Sequence, residues 1–219
     1  MKASKFVERL CDVQFQNVFN PYSDRCAVHD REDAPHLRAA LLESILSKAS
    51  ECPIDSLWLG RDLGYRGGRR TGLALTDDIH INAHLARWAV ETQRPTHGSP
   101  VAERTAAVVW QMLRKIDSSI FLWNLFPLHP HEPNAPFTNR NHNAAERAVG
   151  EVLLMDLIRI LRPRRIVAIG NDAAKAVRRI TPNSIVCAVR HPSYGGQTEF
   201  VRQVSVLYGV PDAGQPSLL

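Results

Sequence analysis

Four short apolar runs, separated by amphipathic helical stretches, limit what this chain can fold into more than any other feature. The runs are residues 56–59 (SLWL), closed by Gly60; 120–124 (IFLWN); 165–169 (RIVAI), closed by Gly170; and 184–189 (SIVCAV). Each has the length and the stop signals of a strand. Helical periodicity fills the intervals. Residues 36–50 place Leu37, Leu41, Ile45 and Leu46 on one face, and residues 101–116, 143–161, 171–180 and 199–208 read the same way. The third of these stretches opens on Asn143 with Glu146 three residues on, the pattern of a capping box, and Pro163 ends it. Strands alternating with helices predict an α/β fold: three layers, α/β/α, around a central, mainly parallel four-stranded sheet. A chain of 219 residues, 44% of them hydrophobic, is enough for one domain over 1–219 with a sizeable core.

Several classes are disfavoured. No apolar run is long enough to cross a bilayer, and charges interrupt the apolar residues of the N-terminal MKASKFVERLCDVQ, so a cytoplasmic location without membrane contact is expected. Cys11, Cys26, Cys52 and Cys187 form no CxxC pair and read as reduced thiols. His129, His131 and His142 lack a carboxylate or cysteine at matched spacing and make a poor metal set. No cofactor and no metal are expected. The net charge of +5 is weak evidence for a nucleic-acid partner. Its placement says more: Arg61, Arg66, Arg69 and Arg70 share one glycine-rich stretch, whereas Arg162, Arg164 and Arg165 read as a solvated helix end. The stretch GYRGGRRTG lacks the Gly-Lys-Ser/Thr ending of a phosphate loop, and its arginines suit DNA phosphates better.

Open α/β sheets bind ligands beyond the C-terminal ends of their strands. Polar and glycine-rich segments gather there: GRDLGYRGGRRTGLAL after the first strand, Asn124 and LFPLHPHEP after the second, RHPSYGG after the fourth. Over residues 56–208 these segments together resemble the uracil-DNA glycosylase superfamily; residues 1–35 fall outside the resemblance. The first motif stands as Gly60-Arg61-Asp62-Leu63-Gly64, then Gly72-Leu73-Ala74-Leu75. The second is Asn124, and the third is His191-Pro192-Ser193. The junction from Pro163 to Gly170 adds to it. Taken singly, Asp62 reads as a turn-former, Asn124 as a loop cap and His191 as a loop histidine. All three in motif order, each at a strand end, are far more specific.

The resemblance implies that Asp62 holds the attacking water and stabilises an oxocarbenium-like sugar. It implies that His191 stabilises the departing base at O2 and that Asn124 reads the flipped base. Gly64 stands where the most uracil-restricted subfamily has a tyrosine that blocks the base C5, so room there is expected. Leu75 replaces a stacking aromatic, for which Tyr65 or Phe126 is a candidate substitute, and Leu63 replaces the usual proline. The Asn124 amide suits uracil in one orientation and cytosine in the other. The expected activity is therefore monofunctional hydrolysis of the N-glycosidic bond of uracil or of a 5-substituted pyrimidine. The latter includes bulky phage-type modified cytosines, which would make the role antiviral defence rather than repair. Arg66, Arg69, Arg70, Ser193, Tyr194 and Gln197 are expected to touch DNA, with Tyr194 or Gln197 as the wedge, in a protein acting as a monomer. Residues 17–30 are read either as pocket rim or as packing. Two other functions stay open: a DNA-lesion binding module without catalysis, and a nucleotide hydrolase on the same sheet.

Overall fold

The structure, a computed structural model, describes residues 1–211; residues 212–219 of the expected single domain lie outside the described residues. Four parallel strands form the central sheet: β2 (Ser56–Asp62), β3 (Ile120–Phe126), β5 (Arg165–Ile169) and β6 (Val186–Val189), in the order β3-β2-β5-β6. A short antiparallel pair, β1 (Val18–Phe19) with β4 (His129–Pro130), lies outside it. The three-layer expectation holds because side chains alternate across the sheet. Leu57, Leu59, Phe121, Trp123, Ile166 and Ala168 share one core with α1 (Ala3–Cys11), α2 (Ala34–Ser50), α6 (Ala144–Leu161) and α7 (Asn171–Ile180). Trp58, Leu122, Val167 and Ile169 share the other with α5 (Arg104–Leu113) and α8 (Gln197–Tyr208).

The strand ends differ from the sequence reading in a way that matters. Both β2 and β3 run past their apolar stretches, pairing Gly60 with Asn124 and Asp62 with Phe126. Hydrophobicity reports burial, whereas the ladder is made by backbone groups that any side chain permits. Asp62 is therefore held in a strand rather than in the loop that follows, and Asn124 lies two residues inside the end of its strand. The Asn143 capping box is present: its Oδ1 accepts from the N–H groups of Ala145 (2.9 Å) and Glu146 (3.0 Å), and Glu146 Oε2 accepts from Asn143 N–H at 2.8 Å. Two short helices, α3 (Gly68–Thr71) and α4 (Ile81–Arg87), lie between β2 and α5 in a stretch whose polar and glycine residues mask helical periodicity.

The first 35 residues are built into the core. Phe6 and Leu10 are fully buried, and the Phe6 ring centroid lies 5.6 Å from that of Trp123. Of the two readings of residues 17–30, the hydrogen bonds favour packing. Asn20 Nδ2 donates to the carbonyls of Leu10 (2.8 Å) and Val13 (3.0 Å), and the Tyr22 hydroxyl donates to the Gly72 carbonyl at 2.6 Å. Arg38, fully buried in α2, pairs with Asp30 and donates from Nε to the Arg70 carbonyl at 2.9 Å. This segment thereby clamps the glycine-rich stretch from behind. Phe6→Ala is expected to lower unfolding stability by about 3–5 kcal/mol in a denaturant titration. A loss below about 1 kcal/mol would mean that α1 is not part of the cooperative fold.

Candidate active site

The register of β2 against β3 puts Gly60 beside Asn124. A Cβ at Gly60 would lie 2.3 Å from Asn124 Oδ1 and 3.2 Å from Leu75 Cδ2, so glycine is what lets the amide lie across β2. Asn124 is 1% exposed, and its Oδ1 has no hydrogen-bond partner among the described residues. Leaving a buried acceptor unpaired costs about 1–3 kcal/mol, which is tolerated where a ligand supplies the donor. The amide caps no loop. Leu75 closes this space from the side. It takes the left-handed region at φ +55°, unusual for a bulky residue, and its carbonyl is held by the Trp110 indole N–H at 3.1 Å.

Asp62 stands two residues beyond Gly60, at the end of β2. Both of its oxygens are occupied. Oδ2 accepts from Arg61 Nε at 2.7 Å, and Oδ1 accepts from Nδ1 of His142. A carboxylate acceptor fixes the neutral imidazole with its proton on Nδ1. The loop after β3 delivers His142, packs its ring at a tilt of 56° against Phe126 (centroids 6.1 Å apart), and ends one residue later at the Asn143 cap. Sequence reasoning weighed His142 only as a metal ligand. The structure separates it from the other two histidines: His129 Nε2 faces the Thr138 carbonyl at 2.8 Å, and His131 Nδ1 faces that of Glu132 at 2.9 Å. A signal was available, since His142 directly precedes a helix cap on the connection leaving the strand that carries Asn124.

His191 follows β6. A Cβ at Gly170, at the end of β5, would lie 3.3 Å from His191 Cβ, so this glycine gives the histidine its seat. Its Nδ1 accepts from the Ser193 N–H (3.2 Å) and faces the Ser193 hydroxyl at 2.7 Å. The ring proton therefore sits on Nε2, which leaves a donor for a ligand. Burial first, then the charges of Arg61 and Arg190, hold His191 below the usual histidine range. A neutral donor is the resulting form near pH 7.

The remaining expected residues divide. Gly64 has no left-handed φ, and a Cβ there would meet only Glu103, at 4.0 Å. Neither the turn nor packing demands glycine at this position. Tyr194 is 97% exposed at φ +52°, and Gln197 is exposed at the start of α8, so both face solvent at the rim. Ser193 is engaged with His191. Tyr65 is half-buried, with Arg66 Nε donating to its hydroxyl at 3.1 Å, while Phe126 is fully buried against Phe15 and His142.

Two expectations are corrected. Arg69 and Arg70 do not reach out to phosphates. Arg69 is 3% exposed, 3.9 Å over the Phe19 ring, and donates to the Pro136 carbonyl at 2.5 Å. Arg70 is 6% exposed and donates from Nε to Asp78 at 2.7 Å. A buried guanidinium needs compensating partners within the fold. Arg70 has the Asp78 carboxylate, and Arg69 has a backbone carbonyl and the Phe19 ring face, with its Nε left without a partner among the described residues.

Against known families, residues 81–204 match the model described as the uracil DNA glycosylase superfamily. The chain belongs to this superfamily. The match includes Asn124 and His191 and begins after Asp62, whose place rests on its register with β3. Among solved structures, wild-type SMUG2 of Pedobacter heparinus is similar in fold, with a TM-score of 0.63 and 15% identity over 95% of this chain and 98% of that one. None of the curated proteins matches. No described helix is long and apolar enough to cross a membrane. For a superfamily site, the tautomer of His191 is the first property to verify. An NMR titration of the imidazole should show the proton on Nε2 at pH 7 and a midpoint below the usual 6.5. A midpoint at or above that value would contradict the buried, neutral arrangement.

Proposed function

We propose that the protein is a monofunctional DNA glycosylase that flips a pyrimidine from DNA and hydrolyses its bond to the sugar. The observation that carries this reading is the buried Asn124 Oδ1, unpartnered over Gly60, on the same sheet edge as Asp62 and His191. An unpaired amide oxygen of this kind suits the N–H edge of a base. The chemistry follows from charge. As the bond from C1′ to the base nitrogen breaks, its electron pair leaves with the base and positive charge builds on the sugar. The His191 Nε2–H stabilises the negative base oxygen, and the Asp62 carboxylate stabilises the sugar cation. Water then bonds to C1′ and gives its proton to Asp62, whose orientation Arg61 and His142 fix from either side. A carboxylate rather than a lysine stands at this strand end, so hydrolysis without strand cleavage is the expected outcome.

We read the base as a 5-substituted pyrimidine, with plain uracil a poorer substrate. The open space at Gly64 supports this, since no backbone requirement accounts for the glycine. Glu103 is the nearest group to that space, and burial raises its carboxyl above the usual range. A hydroxylated substituent would find a hydrogen-bond partner there. Bulky hydroxymethyl or glucosylated cytosines of phage DNA fit this description, and their excision would serve antiviral defence.

The test is abasic-site formation on uracil duplex and on DNA carrying modified cytosine, side by side. Asp62→Asn should lower the rate about a hundred- to ten-thousand-fold. Gly64→Tyr should abolish excision of the 5-substituted base and spare uracil. Sites in uracil DNA alone would limit the role to repair. Sites in neither, with DNA still bound, would favour the lesion-binding reading; hydrolysis of a free nucleotide without DNA affinity would favour the hydrolase.

A further inference from the structure

A cavity of about 510 Å³ opens beside Asp62, and Arg61 and His142, the two residues that hold its carboxylate, form part of its wall. Arg147 of α6 and Lys175 and Arg179 of α7 line it further, with Asp172 as the lining carboxylate. Its charges are unbalanced. Arg147 and Arg179 share one carboxylate, Glu151, and Arg61 divides itself between Asp62 and Asp172. Lys175 is exposed and has no ion pair among the described residues. The cavity thus keeps a positive excess within reach of solvent, and Coulomb attraction for an anion follows.

We infer that this cavity seats a backbone phosphodiester of DNA next to the flipped nucleotide, with Lys175 and Arg147 as its principal cations. The placement rests on the glycosylase reading. If C1′ must approach Asp62 and the base must reach Asn124, the sugar–phosphate flank lies on the side of Asp62 away from the base, where Arg61 and His142 open into the cavity. The sequence pointed instead to Arg66, Arg69 and Arg70. Arg69 and Arg70 are buried, which leaves Arg66, exposed beside Tyr65, as the one of the three open to solvent. The cations of the cavity add to the electrostatic affinity that a DNA enzyme needs. Arg147 and Lys175 stand on separate helices and converge only in the folded chain.

The experiment measures equilibrium binding of a duplex without any target base, by fluorescence anisotropy, over about 50 to 200 mM salt. The proteins are the full chain, Lys175→Gln, Arg147→Gln, the double variant and Lys175→Arg. Each neutralising change should lower the slope of log K against log salt by about 0.9, and the double variant by about twice that, while Lys175→Arg restores it. Slopes equal to that of the unaltered chain would overturn the proposal. So would a slope that stays low in Lys175→Arg, since a lost charge–phosphate contact should return with the charge. Inorganic phosphate and thymidine monophosphate, tested as competitors of the binding lost in the variants, identify the source. If they occupy the cavity while the DNA slopes stay unchanged, the site serves a free phosphate and the DNA assignment falls. Because no chemistry is involved, a lowered slope without excision of any base would remove the glycosylase reading alone. Excision with unchanged slopes would remove only the phosphate site.

Discussion

The site depends on the pairing of two parallel strands. β2 and β3 run in register to their last residues, so Gly60 faces Asn124 and Asp62 lies one pleat further on. A slip of one residue would turn Asp62 to the opposite face and set a side chain against the Asn124 amide. Register is held by burial on both sides. Trp58 and Leu122 point into one core, Leu57 and Phe121 into the other, and none can be exposed without losing an apolar contact of large area. The geometry of the site is thus a consequence of how the cores fill, although few of the core residues touch the site.

Around this frame, charged groups are spent on rigidity. Arg38 with Asp30 and Arg70 with Asp78 are buried pairs; Arg38 also donates to the Arg70 and Pro21 carbonyls, and Asp78 also accepts from the Thr96 hydroxyl and the Val101 N–H, which holds the glycine-rich stretch between the N-terminal segment and residues 96–101. Desolvating such pairs offsets much of their attraction, so their contribution is to fix one conformation rather than to add stability. Leu75, in its left-handed turn, is held instead by a neutral donor. A strained backbone position persists only where its surroundings over-determine it, and the Trp110 bond to its carbonyl does this.

Orientation of the polar groups follows the same logic. His191 is held by its own Ser193, and Asp62 by residues from two elements, Arg61 beside it and His142 from the far loop. His191 keeps its Nε2 edge open, whereas both oxygens of Asp62 are engaged. Preorganised groups of this kind need not reorganise when charge develops, which is the condition under which electrostatic stabilisation is strongest.

The sequence by itself determined the layer architecture, the four strands, the cap at Asn143, and the three motif positions Asp62, Asn124 and His191. These are encoded locally, in apolar periodicity, stop residues and short polar patterns at strand ends, and local patterns survive in one dimension. Only the tertiary structure decided what the arginines do. Arg66, Arg69 and Arg70 read alike as a basic stretch, yet burial commits Arg69 to Phe19 and Arg70 to Asp78. His142 reached Asp62 across 80 positions of sequence, and Arg147 and Lys175 came to line one cavity from two helices. Such contacts have no local signature, because the free energy that makes them comes from packing elements distant in sequence. The space at Gly64 was likewise undecided until the fold showed that its φ is not left-handed and that an added Cβ would meet only Glu103, at 4.0 Å.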